Sequence, residues 1–423
     1  MNSPVVELDI DSVGVRGDGI GMNDGARFFV PFTAPGDRVR ARIESKTAEG
    51  SRAALMAVLR PGARAEPVCR HFGECGGCAL QHLSDDAYAG AKLGWLEGAL
   101  ARQGFDAPEI APLIRLKPGT RRRARWALAR NGAGAEVGFH ARQSHRIVDM
   151  RECPVLHPAL FALVEPLRHL ASSVLPANGK GAATATRGDS GIDLLIDLPE
   201  MPGLAELEAL AAFAASADLA RLSWRAGKEI GPVAERRKPT VILSGVTVDL
   251  PADSFLQASA EADAALGGAV TAMLGGAKNV ADLYAGLGTF TFAAASAGAT
   301  RVHAVELSAA SSRAVTHAVS RAGLSGKVTA ETRDLDERPL SIEELSGFDT
   351  VIFDPPRAGA LAQSRNLARS TVARVVAVSC NPATFARDAR VLVDGGYRLG
   401  PIQPVDSFIW SPHLELVAGF ERG

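Results

Sequence analysis

The chain has 423 residues, with 46 basic and 47 acidic side chains, a net charge of −1 and 47% hydrophobic residues. This length corresponds to two or three domains, and this apolar content excludes a wholly disordered chain. No apolar run approaches the ~20 residues of a transmembrane helix, and the first residues lack the basic and apolar regions of a signal peptide. The composition predicts a soluble cytoplasmic protein with no membrane partner, and the near-neutral charge argues against a simple polycationic nucleic-acid binder.

Short strand-like segments separated by turns occupy residues 1–60. Residues 5–10 and 37–43 alternate between apolar and polar side chains, and residues 28–30 are apolar. Several short strands at this spacing predict a small β-barrel of the OB type, a fold that often binds oligonucleotides. A small β-domain without a ligand is the alternative.

Four of the five cysteines form a pattern typical of a metal site. Cys69, Cys75 and Cys78 lie in one short stretch at residues 61–88, and Cys153 follows after 74 intervening residues. In a cytoplasmic protein such cysteines indicate metal ligation rather than disulfides. Three clustered cysteines with a distant fourth, which precedes a proline, resemble iron–sulfur spacing more than paired zinc knuckles. Zinc, with His71 replacing one cysteine, is the alternative.

Residues 89–240 contain mixed helices and strands and the most basic part of the chain. Ser84 is a suitable N-cap for a helix over 85–103, and residues 125–128 and 136–147 are expected to form a strand pair. Segment 115–151 has ten basic residues and two acids, with Trp126, Phe139 and His145 between them. Basic strands with aromatic rings predict a surface for single-stranded RNA. A solvated basic face is the alternative.

From residue 241 onward, short buried strands alternate with alanine-rich helices. The strands are expected at residues 279–284, 301–306, 327–332, 349–353 and 374–379. This alternation predicts an α/β fold with an open, mostly parallel sheet.

A glycine-containing loop follows the first of these strands. Gly286 and Gly288 permit a tight turn before the next helix, so that a ligand can approach the start of that helix. Glu306 ends the second strand, where an acid can hold two ribose hydroxyls. The loop has neither a third glycine nor a lysine for phosphate, which favours S-adenosylmethionine over a dinucleotide. Asp334, after the third strand, supports this interpretation; a tight turn beside a solvated Glu306 is the alternative.

Two motifs end the fourth and fifth strands. Asp354-Pro355-Pro356-Arg357 is a rigid turn that directs its carboxylate at the cleft, and Arg357 stands where amino-group methyltransferases have an aromatic residue. Cys380, in Ser379-Cys380-Asn381-Pro382, is expected at the same edge of the sheet. The adjacent helix start predicts a lowered thiol pKa and a nucleophilic cysteine.

A methyl donor together with a thiolate indicates methylation at carbon 5 of a pyrimidine. That carbon becomes nucleophilic only after the thiolate adds to carbon 6, and a base must then remove the hydrogen from carbon 5. Glu415 is the best candidate for this general base, and His413 is the weaker one. Gln257 is positioned to contact either the base edge or the methionine part of the donor.

Together these motifs resemble the RNA 5-methyluridine methyltransferase family over nearly the whole chain. The resemblance implies a TRAM-like OB barrel at 1–60, an iron–sulfur cysteine loop at 61–88 closed by Cys153, a central α+β RNA-binding domain at 89–240, and a Rossmann-like class I methyltransferase domain at 241–423. It further implies Cys380 as nucleophile, Glu415 as base and a 4Fe-4S cluster on Cys69, Cys75, Cys78 and Cys153. The implied donor-binding residues are Gln257, Tyr284, Gly286, Gly288, Thr289, Glu306, Asp334 and Asp354.

The same resemblance implies methylation of a uridine in 23S ribosomal RNA, because the tRNA branch of the family typically lacks the four cysteines. Two other classes of protein compete with this interpretation: an RNA-binding module with an idle methyltransferase domain, and an iron–sulfur electron-transfer or radical protein. No heptad or long amphipathic seam is present, so a monomer is expected. The modified uridine cannot be identified from one sequence.

Overall fold

The computed structural model describes residues 4–132 and 134–423. In these described residues the strands form four sheets, which contain six, seven, two and eight strands. Within the described ranges, no helix combines the length and apolar character needed to cross a membrane.

The strands of the first sheet lie between Val5 and Arg60. Its strands are β1 (Val5–Asp9), β2 (Ser12–Val13), β3 (Asp18–Asn23), β4 (Ala26–Pro31), β5 (Arg38–Thr47) and β6 (Gly50–Arg60). Their spatial order is β1-β5-β6-β4-β3-β2, and β4 pairs with β6 in parallel. Because side chains alternate between the two faces of a strand, one face supplies a small apolar core. That core consists of Leu8, Ile10, Phe28, Val30, Val39, Ala41 and Ala53.

A cysteine-containing segment, residues 61–84 (the cysteine loop), connects this sheet to α1 (Asp85–Arg102). The Ser84 hydroxyl caps the helix by accepting from the Ala87 N–H at 3.3 Å. Leu96 and Leu100 of α1 are buried in the core beneath the C-terminal sheet. β7 (Ile114–Arg115) extends the edge of that same sheet. α1 and β7 therefore pack with the C-terminal segment, although most of their residues fall in the predicted central domain, 89–240.

The second sheet has the order β10-β9-β8-β11-β12-β13-β14. Its elements are β8 (Arg123–Asn131), β9 (Gly134–His140), β10 (Ile147–Asp149), α2 (Pro158–Phe161), α3 (Val164–Val174), β11 (Lys180–Gly188), β12 (Gly191–Asp197), α4 (Leu204–Ser216), β13 (Arg221–Ala226) and β14 (Glu229–Glu235). The prediction of a single strand over residues 136–147 was wrong, because a turn separates β9 from β10. Gln143 in that turn has a φ of 52°, which a strand does not accommodate.

The C-terminal segment begins with a two-stranded sheet, β15 (Thr240–Leu243) and β16 (Val246–Asp249), and then forms an α/β fold. Its elements are α5 (Ala260–Met273), β17 (Asn279–Leu283), α6 (Thr289–Ser296), β18 (Arg301–Glu306), α7 (Ala309–Arg321), β19 (Val328–Thr332), α8 (Ile342–Leu345), β20 (Thr350–Phe353), α9 (Leu361–Arg369), β21 (Arg374–Ser379), α10 (Pro382–Asp394), β22 (Tyr397–Asp406) and β23 (Glu415–Arg422).

The order of the large sheet is β19-β18-β17-β20-β21-β23-β22-β7. Strands β17 to β21 are parallel, and β23 lies antiparallel between β21 and β22. Apolar clusters cover both faces, as a largely parallel sheet requires. The strand order reverses between β17 and β20, and ligands of open α/β sheets bind at the carboxyl ends of strands at such a point.

Candidate active site

The loop between β17 and α6 turns sharply at the carboxyl edge of the sheet. Gly288 has a φ of 91° and Gly286 a φ of 56°, both in the left-handed region that favours glycine. A Cβ at Gly288 would lie 2.7 Å from the Phe292 ring, so a larger residue does not fit there. The Gly286 N–H donates to Glu306 Oε2 at 2.9 Å, which fixes the second strand's carboxylate against the loop.

A cavity of about 560 Å³, the donor cavity, opens beside this loop. Seven of the eight residues expected to bind the donor line it: Gln257, Tyr284, Gly286, Thr289, Glu306, Asp334 and Asp354. Gly288 does not line the donor cavity; its role is to permit the turn of the loop. The cavity is also lined by Phe255, Leu307 and Asp336, which were not predicted from the sequence. Leu307 could have been predicted, because it directly follows Glu306, the carboxylate at the end of the second strand.

The donor cavity contains a buried polar atom that lacks a partner. Gln257 Nε2 donates to Asp354 Oδ2 at 3.3 Å, whereas Gln257 Oε1 has no hydrogen-bond partner among the described residues. A buried amide oxygen without a partner is costly, and a ligand N–H would satisfy it. The α-ammonium group of S-adenosylmethionine has the required donor chemistry, so the residues present fit that ligand.

Two carboxyl groups that line the donor cavity, those of Asp354 and Glu415, have raised pKa values. The pKa of Asp354 is raised to about 7, mainly by burial and also by the charge of Asp282, while the hydrogen bond from Gln257 opposes the shift. Burial also raises the pKa of Glu415, which is 5% exposed, to about 8, with a contribution from the charge of Asp354. The Ser407 hydroxyl donates to Glu415 Oε2 at 2.7 Å and opposes that shift.

Cys380 lies beside these carboxyl groups, after the last residue of β21. The prediction of a lowered thiol pKa was wrong: burial raises the pKa of Cys380, and the charges of Asp354 and Glu415 raise it further. Arg357 opposes them. The helix start at Asn381 therefore does not outweigh desolvation and two neighbouring carboxyl groups, and the thiolate must form by transferring its proton to a partner.

Cys380 and Arg357 also line a second cavity, of about 520 Å³, which we call the acceptor cavity. Residues of the cysteine loop, Cys153, Phe408 and His413 line the same cavity. One thiol is thus accessible from both cavities. This is the arrangement that a reaction between two separately bound molecules requires.

The four other cysteines line the acceptor cavity together. They are free thiols, and burial raises the pKa of each; the pKa of Cys78 reaches about 12. The nearby charge of Cys153 adds to the shifts of Cys69 and Cys78, which indicates mutual proximity. Nevertheless, in the described ranges no three His, Cys, Asp or Glu side chains are grouped closely enough to hold a metal ion.

His71 does not suit the role of an alternative ligand. Its Nε2 accepts the Arg151 backbone N–H at 3.0 Å, so that nitrogen is already committed. The Gly77 N–H points at the Cys75 sulfur at 3.4 Å, and the Arg121 guanidinium lies near Cys78 and Cys153. Backbone N–H groups and a cation beside several thiolates are suited to a negatively charged cluster.

The expected aromatic-basic RNA surface at 115–151 was wrong in part. Trp126 is completely buried in the core of the second sheet, whereas Phe139 is half-buried and lines the acceptor cavity, and His145 is exposed. Seven of the ten basic residues pair with carboxylates: Arg115, Arg122, Arg123, Arg125, Arg142, Arg146 and Arg151. These arginines largely connect elements of the fold, and Arg121 instead faces the acceptor cavity.

The fold and the donor cavity define a Rossmann-like methyltransferase. Residues 245–420 match the family model described as tRNA (Uracil-5-)-methyltransferase. The chain is 41% identical to an uncharacterized RNA methyltransferase of Brucella melitensis over 100% of this chain and 99% of that one. It is 33% identical to the 23S rRNA (uracil(1939)-C(5))-methyltransferase RlmD of Aeromonas salmonicida, over 99% and 96% of the two chains.

Among solved structures, the chain resembles the tRNA (uracil-54, C5)-methyltransferase of Pyrococcus abyssi in complex with S-adenosyl-L-homocysteine. The TM-score is 0.77 at 25% identity, with 98% of this chain and 100% of that chain covered. The chain belongs to the RNA (uracil-C5) methyltransferase family.

Proposed function

We propose that this protein transfers the methyl group of S-adenosylmethionine to carbon 5 of a uridine in RNA. The observation that supports this most directly is the position of Cys380, which lines both the donor cavity and the acceptor cavity. The test is incubation with methyl-labelled S-adenosylmethionine and RNA, followed by nuclease digestion and mass spectrometry of the nucleosides. The expected product is 5-methyluridine; label on an exocyclic amine or a ribose would contradict the proposal.

The proposed reaction begins with addition of the Cys380 sulfur to carbon 6 of the uracil. The thiol proton passes to a neighbouring group or to water, and the electron pair of the C5–C6 double bond moves onto carbon 5 and the adjacent carbonyl oxygen as an enolate. Bound S-adenosylmethionine would supply the electrophilic methyl group that carbon 5 takes. Glu415 then accepts the carbon 5 proton, the C5–C6 double bond re-forms, and the Cys380 sulfur leaves.

We assign the donor side by chemistry and placement. Glu306 would accept the ribose hydroxyls, since carboxylate oxygens retain lone pairs beyond those used by the Gly286 and Ser308 N–H groups. Gln257 Oε1 would accept from the donor's ammonium group. The remaining assigned residues, Tyr284, Gly286, Gly288, Thr289, Asp334 and Asp354, would shape the cavity and contact the donor.

Ser407→Ala should move the pH dependence of turnover upward by about one pH unit. The Ser407 hydroxyl donates to Glu415 and favours its ionised form, so its loss raises the pKa of Glu415 beyond about 8. A smaller fraction of Glu415 would then be ionised at neutral pH, and turnover at pH 7 should fall while turnover at pH 9.5 is preserved. Single-turnover rates across this range measure the shift. Ser346→Ala is the control, because among the described residues the Ser346 hydroxyl donates only to the Glu343 carbonyl oxygen. An unchanged pH profile in Ser407→Ala would contradict the assignment.

For the RNA substrate we propose a uridine of 23S ribosomal RNA. This choice is supported by similarity to the Aeromonas salmonicida enzyme over 99% of the chain, whereas the Pyrococcus abyssi tRNA enzyme is less similar in sequence. Methylation assays on fragments that tile 23S rRNA, with tRNA alongside, distinguish the two.

We also propose that Cys69, Cys75, Cys78 and Cys153 hold a 4Fe-4S cluster. The support is that four half-buried thiols share one cavity beside a guanidinium and a backbone N–H donor. In such a cluster each sulfur binds a different iron, so the sulfurs need not be as close as the ligands of one ion. The cluster would fasten the cysteine loop to the second sheet.

Cys153→Ser is expected to remove most iron and sulfide from anaerobically purified protein. Cys153 is the only one of the four cysteines that lies outside the cysteine loop, so its loss would release that loop from residues 150–156. Iron and acid-labile sulfide analysis measures the loss of the cluster. The visible absorbance from sulfur-to-iron charge transfer should fall in parallel. Four irons per chain are expected for the unmodified protein. Stoichiometric zinc in place of iron would contradict the cluster.

We propose the domain division given by the resemblance: a TRAM-like barrel at residues 1–60, an iron–sulfur segment at 61–88 that contains the cysteine loop, a central domain at 89–240 and a methyltransferase domain at 241–423. Within this division, α1 and β7 pack with the methyltransferase domain. A groove of about 540 Å³ between the first sheet and α1 supports RNA binding there. Arg16, Arg27, Arg52 and Arg102 line it, and in the described ranges none of the four pairs with a carboxylate. Guanidinium groups of this kind suit phosphate contacts.

A further inference from the structure

A buried ion pair joins α1 to the end of β22. Lys92 and Asp406 contact each other, and the side chains of both are 0% exposed. The Tyr88 hydroxyl, one turn earlier on α1, donates to the other oxygen of Asp406 at 2.6 Å. Burying two charges is costly even when they are paired, and a pair of this kind contributes little net stability. Its presence therefore calls for another role.

The same two α1 side chains hold the segment that follows Asp406, residues 407–414, which we call the base loop. Lys92 Nζ donates to the carbonyl oxygens of His413 at 2.7 Å and Phe408 at 3.4 Å. The Tyr88 hydroxyl accepts the Trp410 N–H at 2.8 Å. Trp410 has a φ of 56°, a strained conformation for a large residue that persists only where its surroundings impose it.

The cysteine loop holds the base loop from the other side. The backbone N–H groups of Ala79 and Leu80 both donate to the Trp410 carbonyl oxygen, at 2.8 and 3.1 Å. Cys78, one of the proposed cluster ligands, directly precedes Ala79. The base loop is thus fixed between α1 and the cysteine loop, although these segments lie more than 300 residues away along the chain.

The base loop supplies groups on which the proposed chemistry depends. Ser407 at its start donates to Glu415, and the acceptor cavity, which Cys380 also lines, is lined by Phe408, Ser411, Pro412 and His413. Lys92 itself lines neither cavity. A displacement of this loop would move one wall of the acceptor cavity and would release Ser407 from Glu415, while Cys380, which directly follows β21, would keep its place.

We propose that Lys92 and Asp406 are positioning residues that fix the base loop so that Glu415 can remove the carbon 5 proton. This inference rests on the proposed function, because it assigns the pair to one step of that reaction. Cys380, which starts the addition, and the donor cavity, from which the methyl group would come, both lie outside the base loop. Loss of the pair should therefore slow elimination more than it slows formation of the covalent adduct.

The test uses the full-length protein with Lys92→Met/Asp406→Asn, a double substitution that leaves no unpaired buried charge. Two readouts are compared with the unmodified protein: trapping on 5-fluorouridine RNA, and the ratio of denaturation-resistant adduct to released product on unmodified RNA. We expect trapping within threefold of the unmodified protein, at least a tenfold fall in product release, and accumulation of adduct on unmodified RNA. Arg221→Met/Asp193→Asn removes another largely buried pair, in the second sheet, and is the matched control.

A parallel fall in trapping and in product release would overturn the inference, because it would show a structural role only; so would an unchanged ratio of adduct to product. Tyr88→Phe keeps the ion pair and removes one contact to the base loop, so it should shift the ratio in the same direction by a smaller factor, and it decides the matter if the double variant fails to fold. Failure of the unmodified protein to trap any RNA would instead contradict the proposed function itself.

Discussion

Cys380→Ser is expected to lower methyl transfer by roughly 10⁴-fold or more and to abolish the covalent adduct with 5-fluorouridine RNA. Fluorine on carbon 5 cannot leave as a proton does, so the unmodified enzyme should stall with its sulfur attached to carbon 6. A serine hydroxyl is a far weaker nucleophile than a thiolate and should form no adduct. A denaturing gel of protein incubated with S-adenosylmethionine and 5-fluorouridine RNA measures the outcome.

Binding measurements provide the control for this experiment. Cys380→Ser changes one atom, so affinities for S-adenosylmethionine and RNA should stay within about threefold of the unmodified protein, a difference below ~1 kcal/mol. A surviving adduct in Cys380→Ser would contradict the nucleophile assignment. Methylation that continues without any adduct in the unmodified protein would do the same. If neither adduct nor methylation occurs with any RNA, an RNA-binding module with an idle methyltransferase domain becomes the better interpretation.

Glu415→Gln should lower product release by roughly 10²- to 10⁴-fold, the usual contribution of a general base. An amide cannot accept the carbon 5 proton, so addition and methyl transfer should proceed and the methylated adduct should accumulate on unmodified RNA. Mass spectrometry of the trapped peptide would show the attached methylated nucleotide at Cys380. His413→Gln is the comparison: if it, rather than Glu415→Gln, accumulates adduct, the weaker candidate base is the correct one.

The pH dependence gives a second measurement on the same carboxyl group. The pKa of Glu415 rises from 4.5 to about 8 on folding, so turnover in the unmodified protein should increase up to about pH 8 and then level. The raised pKa means that Glu415 contributes to stability below pH 4.5 and that this contribution is lost as the pH rises toward 8. Glu415→Gln should remove this loss, and denaturant unfolding of the two proteins at pH 5 and pH 8.5 compares them.

Most of the C-terminal fold and the candidate site could be predicted from sequence because both depend on local patterns. The strand predicted at residues 279–284 is β17 (Asn279–Leu283), and the one predicted at 374–379 is β21. Parallel strands place their carboxyl ends at one edge, so residues that end different strands must meet there. For that reason Glu306, Asp354 and Cys380 could be grouped without knowledge of the contacts.

Properties that depend on packing could not be predicted in the same way. Trp126 has the aromatic character of an RNA-stacking residue, yet its strand turns it into the core. Burial likewise reversed the expected shift of the Cys380 pKa, since desolvation depends on every element around the thiol and not only on the helix start beside it. Most of the paired arginines of segment 115–151 bind acids from distant parts of the chain, as Arg142 does with Asp18.

The sequence alone determined which residues can perform the chemistry and at which strand ends they lie, because backbone turns and strand periodicity are set by neighbouring residues. Only the tertiary structure decided how these residues are held and charged. It brought Lys92 to Asp406 and the cysteine loop to Trp410, and it enclosed Glu415 and Asp354 so that their carboxyl groups retain protons near neutral pH. Long-range pairing and desolvation depend on where the whole chain packs, and no local pattern of residues encodes either of them.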